Sequence, residues 1–202
     1  MKVISFLTSG EWKANQMDGY GTLYLNNGSV YVGIWKDSRK NGYGKESWDD
    51  GANFEGEYLD NNRHGQGTYT FPSGEVYNGG WLRNDINGWG TLDGRGGTIY
   101  QGEWKDSRFD GNGVLHFGDG SRYEGLFSQG QQEGYGVMYY FDSSCYKGGW
   151  KDGLKHGLGV LTNPKNPKLD KEGIWQQDMF MKEMDVSEQL HSGSPGNSIR
   201  QV

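Results

Sequence analysis

The feature that most constrains this chain is a period. An aromatic-x-Gly-x-aromatic unit occurs at Tyr31-Val32-Gly33-Ile34-Trp35, Phe54-Glu55-Gly56-Glu57-Tyr58, Tyr77-Asn78-Gly79-Gly80-Trp81 and Tyr100-Gln101-Gly102-Glu103-Trp104. It continues at Tyr123-Glu124-Gly125-Leu126-Phe127 and Tyr146-Lys147-Gly148-Gly149-Trp150, always 23 residues on. A variant, Thr8-Ser9-Gly10-Glu11-Trp12, stands one step before Tyr31. A second mark keeps the same step: Gly19-Tyr20-Gly21, Gly42-Tyr43-Gly44, Gly65-Gln66-Gly67, Gly88-Trp89-Gly90, Gly111-Asn112-Gly113, Gly134-Tyr135-Gly136 and Gly157-Leu158-Gly159. Two marks in register over seven units require an array of identical supersecondary elements, each leaning on its neighbours.

The alternation aromatic, polar, glycine, polar, aromatic is the period of a strand with one packed face. The second segment runs from Gly-x-Gly to Leu23, Tyr69, Leu92, Leu115 or Met138. Asn27-Gly28, Asp50-Gly51, Ser73-Gly74, Gly96-Gly97 and Asp119-Gly120 accept positive φ and predict tight hairpin connections between units. Each unit is therefore a β-hairpin. With 36 glycines in 202 residues and only 33% hydrophobic residues, the chain is poorly supplied for a conventional core. Its 14% aromatic content supplies large buried area instead, as a ladder of rings for which glycine leaves room.

An eighth unit begins at Glu172-Gly173-Ile174-Trp175, displaced by two residues after the stretch Asn163 to Pro167, and no Gly-x-Gly follows it. Residues 1–175 are therefore expected to form the array, seven repeats plus a terminal half repeat, and residues 176–202 a C-terminal cap segment and flexible tail. Met179, Phe180, Met181 and Met184 predict a short capping helix or strand, and the run from Ser187 a flexible tail. Met1–Leu7 predicts a short strand protecting the N-terminal edge. An exposed sheet edge invites pairing, so an end-to-end homodimer is a further expectation.

Tyr123-Glu124-Gly125, Gly102-Glu103-Trp104-Lys105-Asp106 and the run from His64 to Gly74 together resemble the MORN (membrane occupation and recognition nexus) repeat. The resemblance covers about residues 8–175. It implies an all-β fold, an elongated single-layer antiparallel sheet of tandem 23-residue β-hairpin repeats with a groove. It also implies the uses of that family: membrane tethers, cytoskeletal and axonemal scaffolds, and protein-binding adaptors. A cytoskeletal, axonemal or motor-associated protein partner and a cytoplasmic place, with the cytoskeleton or cilium, follow as expectations.

The formal net charge of −6 is spread without a basic block, which argues against nucleic acid and disfavours electrostatic attachment to anionic lipid. The lone Cys145 has no base nearby to activate it, and the apolar run Val3 to Leu7 is too short for a signal peptide or a span. His64 and His156 stand four units apart, about 40 Å at two strands per unit, and share no metal. Asp60-Asn61-Asn62-Arg63-His64-Gly65 lacks the carboxylate a calcium loop needs at its twelfth position, Phe71. The Gly-x-Gly pairs lack the strand-to-helix context of a dinucleotide site. Glu11, Glu57 and Glu103 recur with the period, unlike catalytic groups, and are expected to face solvent. No catalytic residue, cofactor or metal is expected.

The departures from the average repeat mark the candidate site. Tyr20, Tyr43, Trp89, Tyr135 and Leu158 fill the middle of Gly-x-Gly, with Gln66 and Asn112 as exceptions. Ile34, Leu126 and Ile174 replace a polar fourth residue, and Val32 a polar second one. Two readings stand: the column covers backbone within the ladder, or Tyr20, Tyr43, Trp89, Tyr135, Leu158, Ile34 and Leu126 line a groove for a partner peptide or helix. The expected function is a non-catalytic scaffold or adaptor, the alternatives being a membrane-lipid tether or an accessory module of a separate enzyme.

Overall fold

The structure, a computed structural model, describes residues 7–184; all but Leu7 of the strand predicted over Met1–Leu7, and the tail from Ser187, lie outside the described residues. Sixteen strands are hydrogen-bonded in chain order in one open antiparallel sheet. A first compact unit, Met1–Gly111, holds β1 (Leu7–Lys13), β2 (Gln16–Tyr24), β3 (Val30–Lys36), β4 (Arg39–Ser47), β5 (Asn53–Leu59), β6 (Asn62–Thr70), β7 (Val76–Leu82), β8 (Asp85–Asp93) and β9 (Ile99–Lys105). β10 (Arg108–His116) crosses the division. The second unit, Asn112–Val202, holds β11 (Arg122–Ser128), β12 (Gln131–Tyr139), β13 (Cys145–Lys151), β14 (Leu154–Thr162), β15 (Lys171–Gln176) and β16 (Met179–Glu183). β16 is formed by the segment expected to cap the array, and it pairs with β15 through Trp175 and Phe180.

Two kinds of turn alternate. Within a unit the strands are joined by two residues, such as Asp37-Ser38 (φ 48 and 60) and Asp60-Asn61 (φ 48 and 69). Both residues being left-handed gives the type I′ turn, whose twist matches that of the strands. Between units the Asn-Gly and Asp-Gly pairs sit in wider loops, a correction to the tight turns expected there. Asn27 Oδ1 accepts the Ser29 N–H and Asp50 Oδ1 accepts the Ala52 N–H, and these side-chain bonds favour the longer loop. It is closed by Leu25 N–H to the Ser29 carbonyl at 2.9 Å and Gly28 N–H to the Leu25 carbonyl at 3.0 Å.

The two-residue turns also join each hairpin to the one before. Asn61 N–H donates to the Lys40 carbonyl while Asn61 Oδ1 accepts the Lys40 N–H, at 3.0 and 2.9 Å. Ser38 with Met17, Asn84 with Arg63 and Ser107 with Ile86 repeat the reciprocal pair. Stability is thereby built from nearest-neighbour terms, as in other repeat proteins.

One face carries the core. Tyr31, Phe54, Tyr77, Tyr100, Tyr123 and Tyr146 are at most 1% exposed. Each tyrosine donates its hydroxyl to the carbonyl three residues on, as Tyr77 does to Gly80 at 3.1 Å. Trp35, Trp81, Trp104, Trp150 and Trp175 each donate the indole N–H to a glycine carbonyl on the preceding strand, as Trp104 does to Gly90 at 3.2 Å. Successive repeats meet edge to face: Tyr31 on Tyr58, Phe54 on Trp81 and Tyr77 on Trp104 in the first unit, with centroids 5.2 to 5.3 Å apart. Tyr123 on Trp150 and Tyr146 on Trp175 do the same in the second. Such pairs add about 0.5–1.5 kcal/mol each beyond their burial.

The two glycines of Gly-x-Gly serve different needs. In β7 and β8, Gly79 faces Gly90 and Trp81 faces Ile86, so the second strand carries two extra residues in a bulge. Gly88 lies in that bulge at φ +83 with open space around it, so its requirement is conformational. A Cβ on Gly90 would stand 2.2 Å from the Tyr77 hydroxyl, so its requirement is room for the ring.

Candidate functional site

The candidate column lies on the face opposite the ladder. Tyr20 faces Ile34, Tyr43 faces Glu57, Gln66 faces Gly80 and Trp89 faces Glu103 across neighbouring strands of the first unit. Ile34, Glu57 and Glu103 alternate along their strands with the buried rings Trp35, Tyr58 and Trp104, which turns the column the other way. Tyr20 is 59% exposed, Tyr43 51% and Trp89 61%. In this unit Tyr20 and Ile34 are brought side by side, and Ile34 covers the bulge glycine Gly42 beside Tyr43. In the second unit Tyr135 faces Gly149 and Leu158 faces Ile174, both half-buried, while Leu126 lies over Gly134.

Tyr20, Tyr43 and Trp89 project from the face opposite the ladder, and the Tyr43 hydroxyl is tied into that face. The Tyr43 hydroxyl donates to Glu55 Oε1 at 2.6 Å, and Lys45 pairs with the same carboxylate at 2.9 Å. The bond from Tyr43, then that from Lys45, holds the Glu55 carboxyl below its ordinary range. A depression of about 740 Å³ opens around Trp89, lined also by Glu103, Asp106, Asp110 and Lys105.

The periodic carboxylates, expected only to face solvent, have a structural task. Glu57 Oε1 accepts the Gln66 N–H in the bulge at 3.1 Å. Glu11 and Glu103 fold over Gly19 and Gly111 in the same way, and Ile34 and Leu126 take that place as aliphatics.

The ladder face holds a polar site that the motif reading missed. Glu46 occupies the column otherwise filled by Leu23, Tyr69, Leu92, Leu115, Met138 and Leu161, and it is 8% exposed. It pairs with Lys40 and accepts the Tyr58 hydroxyl at 2.9 Å. Burial, and then the charge of Glu46, pushes the Tyr58 phenol far up. The Arg63 guanidinium lies over Tyr69 and Trp81, 5.0 and 4.5 Å from their centroids. Glu46, Tyr58, Arg63 and Tyr69, together with Trp48, line a depression of about 350 Å³. Its sequence signal was the single charge in an apolar column.

The repeat model matches residues 9–30, 31–52, 54–76, 100–122, 123–145 and 146–166 as MORN repeats. The chain belongs to the MORN repeat family. The stretch 77–99, outside the matched ranges, folds as the same MORN hairpin and carries Trp89. No curated protein sequence matches this MORN chain at a significant level. Among solved structures it is similar to the SAS-4 (dCPAP) TCP domain in complex with a proline-rich motif of Ana2 (dSTIL) of Drosophila melanogaster. That likeness has 13% identity, covers 83% of this chain and 90% of that one, and has a TM-score of 0.48. It is also similar to the TCP10 domain of Danio rerio CPAP in complex with a peptide of Danio rerio STIL, at 15% identity over 79% of this chain and 73% of that one, TM-score 0.43.

One side chain with chemical potential remains. Burial pushes the Cys145 thiol up, which keeps it protonated at neutral pH. Among the described residues no His, Cys, Asp and Glu side chains gather as a metal site, and no helix is long and apolar enough to cross a membrane.

Proposed function

We propose that this MORN array is a cytoplasmic, non-catalytic scaffold that holds a protein partner against its open face, with Tyr20, Tyr43 and Trp89 as the first contacts. One observation carries the reading: these three rings stay more than half exposed in a sheet that buries its other ring column almost completely. The fold does not need them, and large rings offer contact area at low entropic cost. Ile34 extends the same surface beside Tyr20, and Leu126, Tyr135 and Leu158 form its counterpart in the second unit. Cytoskeletal and axonemal proteins, the class the family resemblance implies, are the first partners to screen.

The test is affinity capture from cell extract with the wild type and a Tyr43→Ala/Trp89→Ala variant, both shown to be folded by circular dichroism. A protein retained by the wild type and lost by the variant is the expected result. Equal capture by both would return the column to a surface without function.

A further inference from the structure

The open face of the first unit also carries information about the chemistry of what it binds. Tyr20, Tyr43 and Trp89 each have a carboxylate nearby. Glu57 is the cross-strand partner of Tyr43 and Glu103 that of Trp89. Glu11 folds over Gly19, the residue before Tyr20. Asp106 and Asp110 join Glu103 around Trp89, with Lys105 the one cation lining that depression. Lys45, the cation in the neighbouring row, is already paired with Glu55.

A ring face next to a carboxylate is an arrangement that favours a guanidinium or ammonium group: the ring quadrupole attracts the cation and the carboxylate accepts its N–H groups. The periodicity adds a spacing. Tyr20 and Tyr43 recur two strands apart, about 9.6 Å, and Trp89 lies two further repeats on, with Gln66 at the intervening place. A segment in the extended left-handed helix advances about 9.3 Å in three residues, so its every third side chain meets successive repeats.

From this charge and spacing we propose that the occupant of the open face is an extended basic segment of a partner protein, with arginine or lysine at every third position facing Tyr20, Tyr43 and Trp89. The inference rests on the scaffold reading and sharpens it.

The test is a titration of the full chain, followed by NMR shifts of the indole and ring protons, with three synthetic peptides. One has arginine at its first, fourth and tenth positions among glycine and proline; the second has the same composition with the arginines contiguous; the third has glutamate in place of arginine. The spaced peptide is expected to bind about tenfold more tightly than the contiguous one, with shifts at Trp89 and Tyr43. Glu57→Gln/Glu103→Gln keeps the acceptor for the bulge N–H and is expected to weaken it by about tenfold. Trp89→Ala is expected to weaken it about fivefold.

Equal binding of the two arginine peptides, binding of the glutamate peptide, or shifts confined to ladder rings such as Trp35 and Trp81 would overturn the proposal. So would Trp89-dependent sedimentation with phosphatidylserine vesicles, which would make the occupant a lipid surface. If the protein captured from extract is lost by Tyr43→Ala/Trp89→Ala but kept by Glu57→Gln/Glu103→Gln, the scaffold reading stands and the basic occupant falls.

Discussion

The β3–β4 and β7–β8 hairpins share one backbone plan and fill the same core positions in opposite ways. In β7–β8, Tyr77 faces Leu92 and Trp81 faces the buried Ile86. In β3–β4, Tyr31 faces Glu46 and Trp35 faces Lys40, and the charged pair is sealed by the Tyr58 hydroxyl. A buried ion pair repays its desolvation only with good geometry and full hydrogen bonding, so the two solutions are close in stability. They differ in tolerance. The apolar hairpin survives conservative change, whereas the ionic one fails when either partner is lost alone.

The largest expected effect tests that difference directly. Glu46→Leu leaves Lys40 uncompensated and the Tyr58 hydroxyl without its acceptor, and is expected to cost about 3–5 kcal/mol by chemical denaturation. Lys40→Ile/Glu46→Leu, which copies the β7–β8 pair and leaves only the Tyr58 hydroxyl without its acceptor, is expected to recover stability to within about 1–3 kcal/mol of wild type. Equal losses in the single and double variants would show that the charge pair is not what separates the hairpins.

In β8 the two glycines give a smaller and graded pair of effects. Gly90→Ala drives a Cβ into the Tyr77 ring and is expected to cost about 3 kcal/mol. Gly88→Ala meets open space and pays only for a left-handed alanine, about 1–2 kcal/mol. Thermal melts of the two variants should therefore rank in that order, and the reverse ranking would show that the ring yields more easily than the bulge.

Alkaline titration sharpens the comparison further. Burial pushes Tyr77 up to about 12, and in Tyr58 the charge of Glu46 adds to burial and raises it beyond that. Both are raised above the unfolded value of about 10, so their contribution to stability is complete below pH 10 and is lost as pH rises toward 12. Tyrosinate absorbance followed with circular dichroism should show unfolding in that window, and Glu46→Leu should bring Tyr58 ionisation down while leaving Tyr77 unchanged. The smallest effect is expected on the open face, where Tyr43→Ala and Trp89→Ala should each change stability by less than about 0.5 kcal/mol, the range of ordinary surface changes.

Much of the fold was legible because it is written in repeated local patterns. Alternating ring, polar residue and glycine marks a one-sided strand, and the recurrence of Tyr31, Phe54 and Tyr77 at one step marks the stacking. The turns were only half legible. Asn27-Gly28 and Asp50-Gly51 predict tight turns, while the two-residue turns at Asp37-Ser38 and Asp60-Asn61 carry no glycine to mark them. The periodic column of Asn and Ser at 15, 38, 61, 84 and 107 was the available signal.

The candidate residues were all readable as departures from the repeat, but their orientation was not. Tyr43 and Trp89 follow the bulge glycines Gly42 and Gly88, where simple strand alternation breaks, and only the pairing of Tyr43 with Glu57 and of Trp89 with Glu103 places them opposite the ladder. Glu57 looked like a solvating charge because its acceptor role toward Gln66 depends on the bulge bringing that N–H within reach. The sequence by itself determined the period, the hairpins and the family, since each depends on residues close together in the chain. The tertiary structure decided which face is core, which glycine yields to a ring and where Glu46 is neutralised, because those outcomes arise from contacts between strands.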